Sequence, residues 1–325
     1  MKNMGARKII LDTDPGIDDA VAFAVLLNAC RKRVKLIVAS YGNTSVENTT
    51  RNALALAALL GADTPVARGA EKPTPGGNGV YEDASYAHGN DGLGGIQRQL
   101  LERLPAGAPI CGDYVRTVYE AIAEESDPVD YIALGPLTNL SQLIKRYPDA
   151  VDRIGRVAIM GGGIGRGNVT EFAEFNIYCD AESANHVFSV MPDITLAPLN
   201  ATERVALGIA RVERIRAAGT AVSDAMARIL LKSIELSAAY GGNGEEDENS
   251  GYEGKGAVMH DSTAVLAYLY PELFEFRVSG ISVDCTRERY GECVPDASRS
   301  NVKIADGFDP EQLLDIISDK IITYK

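Results

Sequence analysis

Short, unbroken apolar runs alternate with longer Ala- and Leu-rich segments through most of this chain, and that order constrains the fold more than any other feature. Lys8–Leu11 and Val34–Ser40 read as strands; Asp18–Cys30 and Val46–Leu60 read as helices, with Gly61 ending the second. Asp130–Leu134, Val157–Met160 and Ile194–Ala197 continue the series. A strand with one wet face alternates polar and apolar residues, whereas these runs do not, so they predict parallel strands buried on both faces. The expected fold is therefore α/β, a largely parallel central sheet flanked by helices, with a Rossmann-like core and its active site at the carboxyl ends of the strands. Phe274–Val283 and Asn301–Ile304 look like further strands, and Pro310–Ile322 a closing helix capped by Asp309.

The 325 residues would suit two domains of ~150 residues, but α/β chains of this size often form one, and a single domain over 1–325 is expected. Two Gly-rich segments interrupt the alternation, near 69–95 and 241–256, and both read as mobile loops over a pocket. Forty-five acidic against 32 basic residues give a net charge of -13, the wrong sign for a nucleic-acid partner. No apolar stretch approaches the ~18 residues of a membrane span, and the N-terminus lacks the ~7–15-residue core of a signal peptide. Five cysteines without a CxxC pair argue against a disulfide framework and against a zinc ribbon. A cytoplasmic location is expected.

Asp12, Asp14, Asp18 and Asp19 place four carboxylates in eight residues, between a buried strand and an apolar helix. Helix capping and the macrodipole account for one or two of them. Four mutually repelling carboxylates around a Pro-Gly turn call for a cation, and oxygen ligands select calcium or magnesium over zinc. Other strand ends are polar too. Asn43 comes after the second strand, Gly135-Pro136-Leu137-Thr138-Asn139 after Leu134, Gly161-Gly162-Gly163 after Met160, and Asn200 after Thr195–Leu199. Asn168 and Glu174-Phe175-Asn176 add amides and a carboxylate around one ring, a set suited to sugar hydroxyls and a flat heterocycle. His88 and His260-Asp261 flank the two long loops, whereas His186 falls inside a predicted helix and is assigned no site role. Asp12, Asp14, Asp18, Asp19, Glu174 and Asp261 are expected to gather at one pocket. The chain has no G-x-G-x-x-G, P-loop, G-x-S-x-G or H-E-x-x-H signature.

In chain order, DTDPGIDDA at 12–20, Asn43, HGNDGLG at 88–94, GPLTN at 135–139, Met160-Gly161-Gly162, AEFN at 173–176 and His260-Asp261 resemble the inosine-uridine nucleoside hydrolases across almost the whole chain. The resemblance implies a nucleoside hydrolase-like fold that uses Ca2+ to cleave the N-glycosidic bond of purine or pyrimidine ribonucleosides, as a homodimer or homotetramer. It places Ca2+ on Asp14, Asp19, Asp261 and the backbone carbonyl of Leu134. It gives Asp18, Asn43, Asn168, Glu174 and Asn176 to the ribose, with Met160 also in the substrate site, and sets His88, Phe175 and His260 near the base. Asp14 would take a proton from the calcium-bound water, and His260 would assist the departing base. Attack opposite the leaving group implies inversion at C1′. The chain departs from the family pattern at Ser262 and Ala181, and it has no Trp for the base stacking of the purine-specific branch. Two other readings stand beside this one: a Mg2+-dependent phosphatase with Asp12 as nucleophile, and a calcium-dependent nucleoside-binding protein without turnover.

Overall fold

The computed structural model describes residues 7–77, 82–102, 109–240 and 256–324. Its strands are β1 (Ile9–Thr13), β2 (Val34–Ala39), β3 (Val66–Arg68), β4 (Val129–Ala133), β5 (Ile154–Met160), β6 (Ile194–Ala197), β7 (Ala206–Gly208), β8 (Gly256–Val258), β9 (Glu275–Val283), β10 (Cys293–Asp296) and β11 (Val302–Gly307). Nine of them form one sheet in the order β10-β9-β11-β6-β5-β4-β1-β2-β3, and β7 and β8 make a separate antiparallel ribbon. From β3 to β11 every neighbour is parallel; only β9 runs the other way, antiparallel to both β11 and β10. The order β3-β2-β1-β4-β5-β6 is that of the Rossmann core, and the parallel α/β architecture expected from the alternation is the one adopted.

Burial on both faces explains the unbroken apolar runs. Ile9 and Leu11 of β1 pack into one hydrophobic cluster and Ile10 into the other. The first cluster includes residues from the helices Ile17–Cys30, Val46–Leu59, Ala221–Tyr240, His260–Leu269 and Pro310–Ile322; the second draws on Tyr114–Ala123, Thr138–Arg146 and Ala181–Val190. Ile17–Leu27 is buried on every side, which is why that helix shows no polar stripe after its two aspartates. Asp309 caps the final helix by accepting Glu311 N–H at 3.0 Å.

The first long loop is not wholly irregular, because it contains the short helix Ser85–His88. The second lies outside the described residues up to Gly256, which opens β8. Among the described residues, no helix is long and apolar enough to cross a membrane.

Candidate active site

β1 and β4 are neighbours, but the chain leaves their carboxyl ends in opposite directions across the sheet, and a crevice opens between them. Asp14 comes directly after β1 and Leu134 directly after β4. Gly42 and Gly135 close on the Asp14 carboxylate from two sides; a Cβ at either position would collide with it, so only glycine lets the three strand ends approach. Asp14 Oδ2 accepts Asn43 N–H at 2.8 Å. Its Oδ1 is buried and has no hydrogen-bond partner among the described residues.

The Pro15-Gly16 turn then returns the chain as the helix Ile17–Cys30, with Asp18 and Asp19 in its first turn. Asp19 Oδ2 accepts Gly16 N–H at 2.8 Å and Asn43 Nδ2–H at 3.0 Å, while Thr13 donates its hydroxyl to Oδ1. Asp261 arrives from the first turn of His260–Leu269. Carboxylate oxygens of Asp18, Asp19 and Asp261 lie within 4.8 Å of one another, and all three side chains are buried. Burial raises the pKa of each, Asp18 to about 6; neighbouring carboxylates push Asp19 and Asp261 up further, and burial with Asp19 and Asp18 nearby holds Asp14 well above its usual range. Among the described residues, no Lys or Arg pairs with any of the four. His88 Nδ1, 4.0 Å from Asp18 Oδ1, is the basic group at ion-pair distance, and burial lowers its pKa to about 4.

An unsatisfied buried carboxylate oxygen, an all-oxygen donor set and the lack of a compensating side chain fit a hard divalent cation. Leu134 O, the predicted carbonyl ligand, accepts Asn176 Nδ2–H at 2.7 Å, and a carbonyl keeps a second lone pair for an ion.

A cavity of about 190 Å3 opens here, lined by Asp18, Asn43, His88, Leu134, Met160, Asn168, Glu174, Phe175, Asn176, His260 and Asp261 among others. Each of these was singled out in the sequence. Asp14 and Asp19 do not line it. Glu174 caps the turn Phe175–Cys179 by accepting Asn176 N–H at 2.9 Å and Ile177 N–H at 3.2 Å, and it also accepts Gly162 N–H at 2.8 Å. Asn168 Oδ1 accepts Phe175 N–H at 2.9 Å. His88 Nδ1 accepts Ile17 N–H at 3.0 Å, so the imidazole is neutral with its proton on Nε2. His260 pairs with the Thr202 hydroxyl at 2.7 Å through Nδ1, and burial lowers its pKa to about 4.

Asp12 departs from expectation. It shares a face of β1 with Ile10, accepts Tyr131 O–H at 2.7 Å and Asn139 Nδ2–H at 2.8 Å, and does not line the cavity. It therefore supports the sheet from below and is held away from any substrate, which removes the nucleophile of the phosphatase reading. Asn139 also accepts Ala70 N–H, and Asn200 pins Ile164, so both are scaffold residues. His186 contacts Ser141 away from the site. The sequence did not single out Tyr86, from the short helix Ser85–His88, nor Ser233 and Ser237. The two serines stand four apart on Ala221–Tyr240 and both line the cavity; that spacing, which sets both on one face of the helix, was the available signal.

Comparison with known proteins agrees with this geometry. The model of the inosine-uridine preferring nucleoside hydrolase family matches residues 9–315. The pyrimidine-specific ribonucleoside hydrolase RihA of Salmonella paratyphi A is 34% identical over 98% of this chain and 99% of its own length. RihA of Escherichia coli O127:H6 is 35% identical over the same shares. Among solved structures, a purine-preferring ribonucleoside hydrolase from Gardnerella vaginalis superposes with a TM-score of 0.85 at 24% identity, covering 97% of this chain and 98% of that one. The plant nucleoside hydrolase PpNRh1 gives 0.84 at 24%, with 98% and 99% covered.

Proposed function

Because the chain belongs to the inosine-uridine preferring nucleoside hydrolase family and is thus an N-glycosyl hydrolase of ribonucleosides, we propose that it works with Ca2+ and with Asp14 as general base. The observation that carries this reading is the Asp14 Oδ1 atom, buried without a partner among the described residues and close enough to Asp18, Asp19 and Asp261 for their charges to repel. Asp14, Asp19, Asp261 and the Leu134 carbonyl would hold the ion. Bound there, Ca2+ would polarise a water and fix the ribose 2′- and 3′-hydroxyls.

The chain's own groups supply the rest. Asp14 accepts the proton of the attacking water. Asp18, Asn43, Asn168, Glu174 and Asn176 hold the sugar, and their oxygens face the positive charge that develops at C1′ in an oxocarbenium-like transition state. Met160 supplies apolar surface against the sugar; Phe175, expected beside the base, is assigned to the sugar as well, because its N–H is accepted by Asn168 Oδ1 at 2.9 Å and it stands between Glu174 and Asn176. His88 and His260 flank the base as neutral imidazoles. Taking Nδ1 to accept from the Thr202 hydroxyl, His260 carries its proton on Nε2 and donates it as a hydrogen bond to the departing base. Water and base on opposite faces of the ribose give inversion.

Incubation of the purified protein with uridine, cytidine, inosine, adenosine and an aryl phosphate is the test. Release of free ribose is expected. The pyrimidine specificity of the RihA relatives makes uridine and cytidine the first substrates to try. Inorganic phosphate would restore the phosphatase, and binding without product would leave a nucleoside-binding protein. Sedimentation of the same sample tests the homodimer or homotetramer. We place the protein in the cytoplasm on its five cysteines, all of them free thiols.

A further inference from the structure

We propose that a second cavity beyond Phe175 is a subsite for a neutral or positively charged substituent on the 5′ carbon of a ribonucleoside; this deepens the function proposed above and rests on it. The second cavity has a volume of about 270 Å3 and is lined by Glu82, Asp83, Tyr86, Val169, Phe175, Tyr178 and Cys179. It shares Tyr86 and Phe175 with the first, so these two rings form the partition between them.

The direction in which a nucleoside would lie is reached by elimination. The 2′- and 3′-hydroxyls go to the carboxylate end, where Asp18 and Asp261 stand. The proposed function sets the base beside His88 and His260, and Ser233 and Ser237 line the same cavity. The remaining end of the ribose, C4′ and C5′, is left to face Asn168 and Glu174–Asn176, and Phe175 is the member of that segment which also lines the second cavity. A group attached to the 5′ oxygen therefore leaves the sugar site past Phe175.

The lining sets what that group can be. Three aromatic rings, a valine and a buried thiol give apolar walls, while Glu82 and Asp83 are exposed carboxylates and, among the described residues, the lining contains no Lys or Arg. A phosphate would meet two negative charges with nothing to pair it, whereas an alkyl chain would be covered and an ammonium attracted. Tyr86 and Val169 are 51% and 39% exposed, so the far end of such a substituent reaches water. The subsite thus separates nucleosides and their 5′-alkylated forms from nucleotides.

The test uses the faster of uridine and inosine together with its 5′-O-propyl, 5′-O-(3-aminopropyl) and 5′-phosphate derivatives, comparing kcat/KM for base release by the full-length protein. The propyl and aminopropyl compounds are expected within about tenfold of the parent, and the phosphate about 100-fold or more below it. In Val169→Trp, which fills the second cavity, the ratio of propyl derivative to parent is expected to drop about tenfold. In Glu82→Gln/Asp83→Asn the ratio of phosphate to parent is expected to rise about tenfold. Parent turnover with none from the propyl and aminopropyl compounds would overturn the subsite while leaving the hydrolase standing, as would unchanged ratios in both variants. Base release from none of the four compounds, parent included, would bring down both readings.

Discussion

Buried aspartates lie at both ends of the same strands, and the two ends treat them oppositely. At the amino end, Asp130 of β4 is fully buried and surrounded by donors: Arg7 Nη1 at 3.2 Å, Arg156 Nη2 at 3.0 Å, Arg156 N–H at 3.0 Å and Tyr268 O–H at 2.8 Å, with Arg33 Nη2 4.0 Å away. At the carboxyl end, Asp14, Asp18, Asp19 and Asp261 are all buried, and among the described residues no Arg or Lys pairs with them. Removing a carboxylate from water costs several kcal/mol unless charge or donors offset it. The amino end meets that cost from within the chain. The carboxyl end leaves it to a cation and a substrate, which is how a folded protein stores a demand for ligand.

The sharpest way to break this contrast is to remove one carboxylate from each end. Asp14→Asn is expected to lower kcat by ~10²–10⁴-fold through loss of the general base, while the metal-free protein unfolds at the same or a higher denaturant concentration because one repelling charge is gone. Near-normal turnover in that variant would take Asp14 out of the base role. Asp130→Asn should do the reverse. Its three arginines would face a neutral amide, and since each keeps some contact with water the loss of stability is expected near 3 kcal/mol, the low end for a broken buried pair. Urea unfolding measures it; turnover per folded molecule should stay within about twofold of wild type. If Asp130→Asn left stability unchanged, the two ends would not differ in the way described.

The carboxyl-end site was legible because parallel sheets put ligands at one edge, so Asp14, Asn43, Leu134 and Asn176 could be grouped from the polar residues that succeed the apolar runs. The amino end was invisible by the same logic. Asp130 opens an apolar run, and nothing local shows that Arg7, Arg33 and Arg156, from three separate segments, converge on it. Asp12 was misplaced among the pocket residues although period-two alternation already paired it with Ile10 rather than with Leu11. Thr138 and Asn139 sit at a strand end yet turn inward, Thr138 to Asp180 at 2.8 Å and Asn139 to Asp12, because their helix starts there and points them under the sheet. Ser233 and Ser237 come from a helix far along the chain from β1 and β4, a separation that only tertiary packing closes.

Calcium itself should sharpen the comparison next. At an ion concentration 100 times its dissociation constant, binding to the folded state alone adds about 2.7 kcal/mol. Thermal unfolding with and without chelator is expected to show that increment in wild type and in Asp130→Asn, and to show most of it lost in Asp261→Asn. A chelator-insensitive melting temperature in wild type, with activity intact in a verified metal-free sample, would remove the cation from the carboxyl end.

His88 offers the smallest and most local test, because among the described residues it is the base at ion-pair distance from those carboxylates. Its Nδ1 accepts Ile17 N–H at 3.0 Å, and burial lowers its pKa to about 4 against ~6.5 when unfolded. Between those values the unfolded chain binds the proton and the folded chain does not. The contribution of His88 to stability is therefore fully present above about pH 6.5 and is lost as pH falls towards 4. The stability advantage of wild type over His88→Asn should narrow by about 1 kcal/mol between pH 6.5 and 5, less than a fully isolated imidazole would show, since Asp18 at 4.0 Å favours the protonated form. Comparing the two proteins at each pH cancels the titration of the neighbouring carboxylates, which runs the other way: their raised pKa values weaken the fold as pH rises. A constant difference across the window would mean that His88 takes up its proton as readily in the folded as in the unfolded chain, giving up the bond from Ile17 N–H, and that the carboxyl end tolerates an internal cation after all.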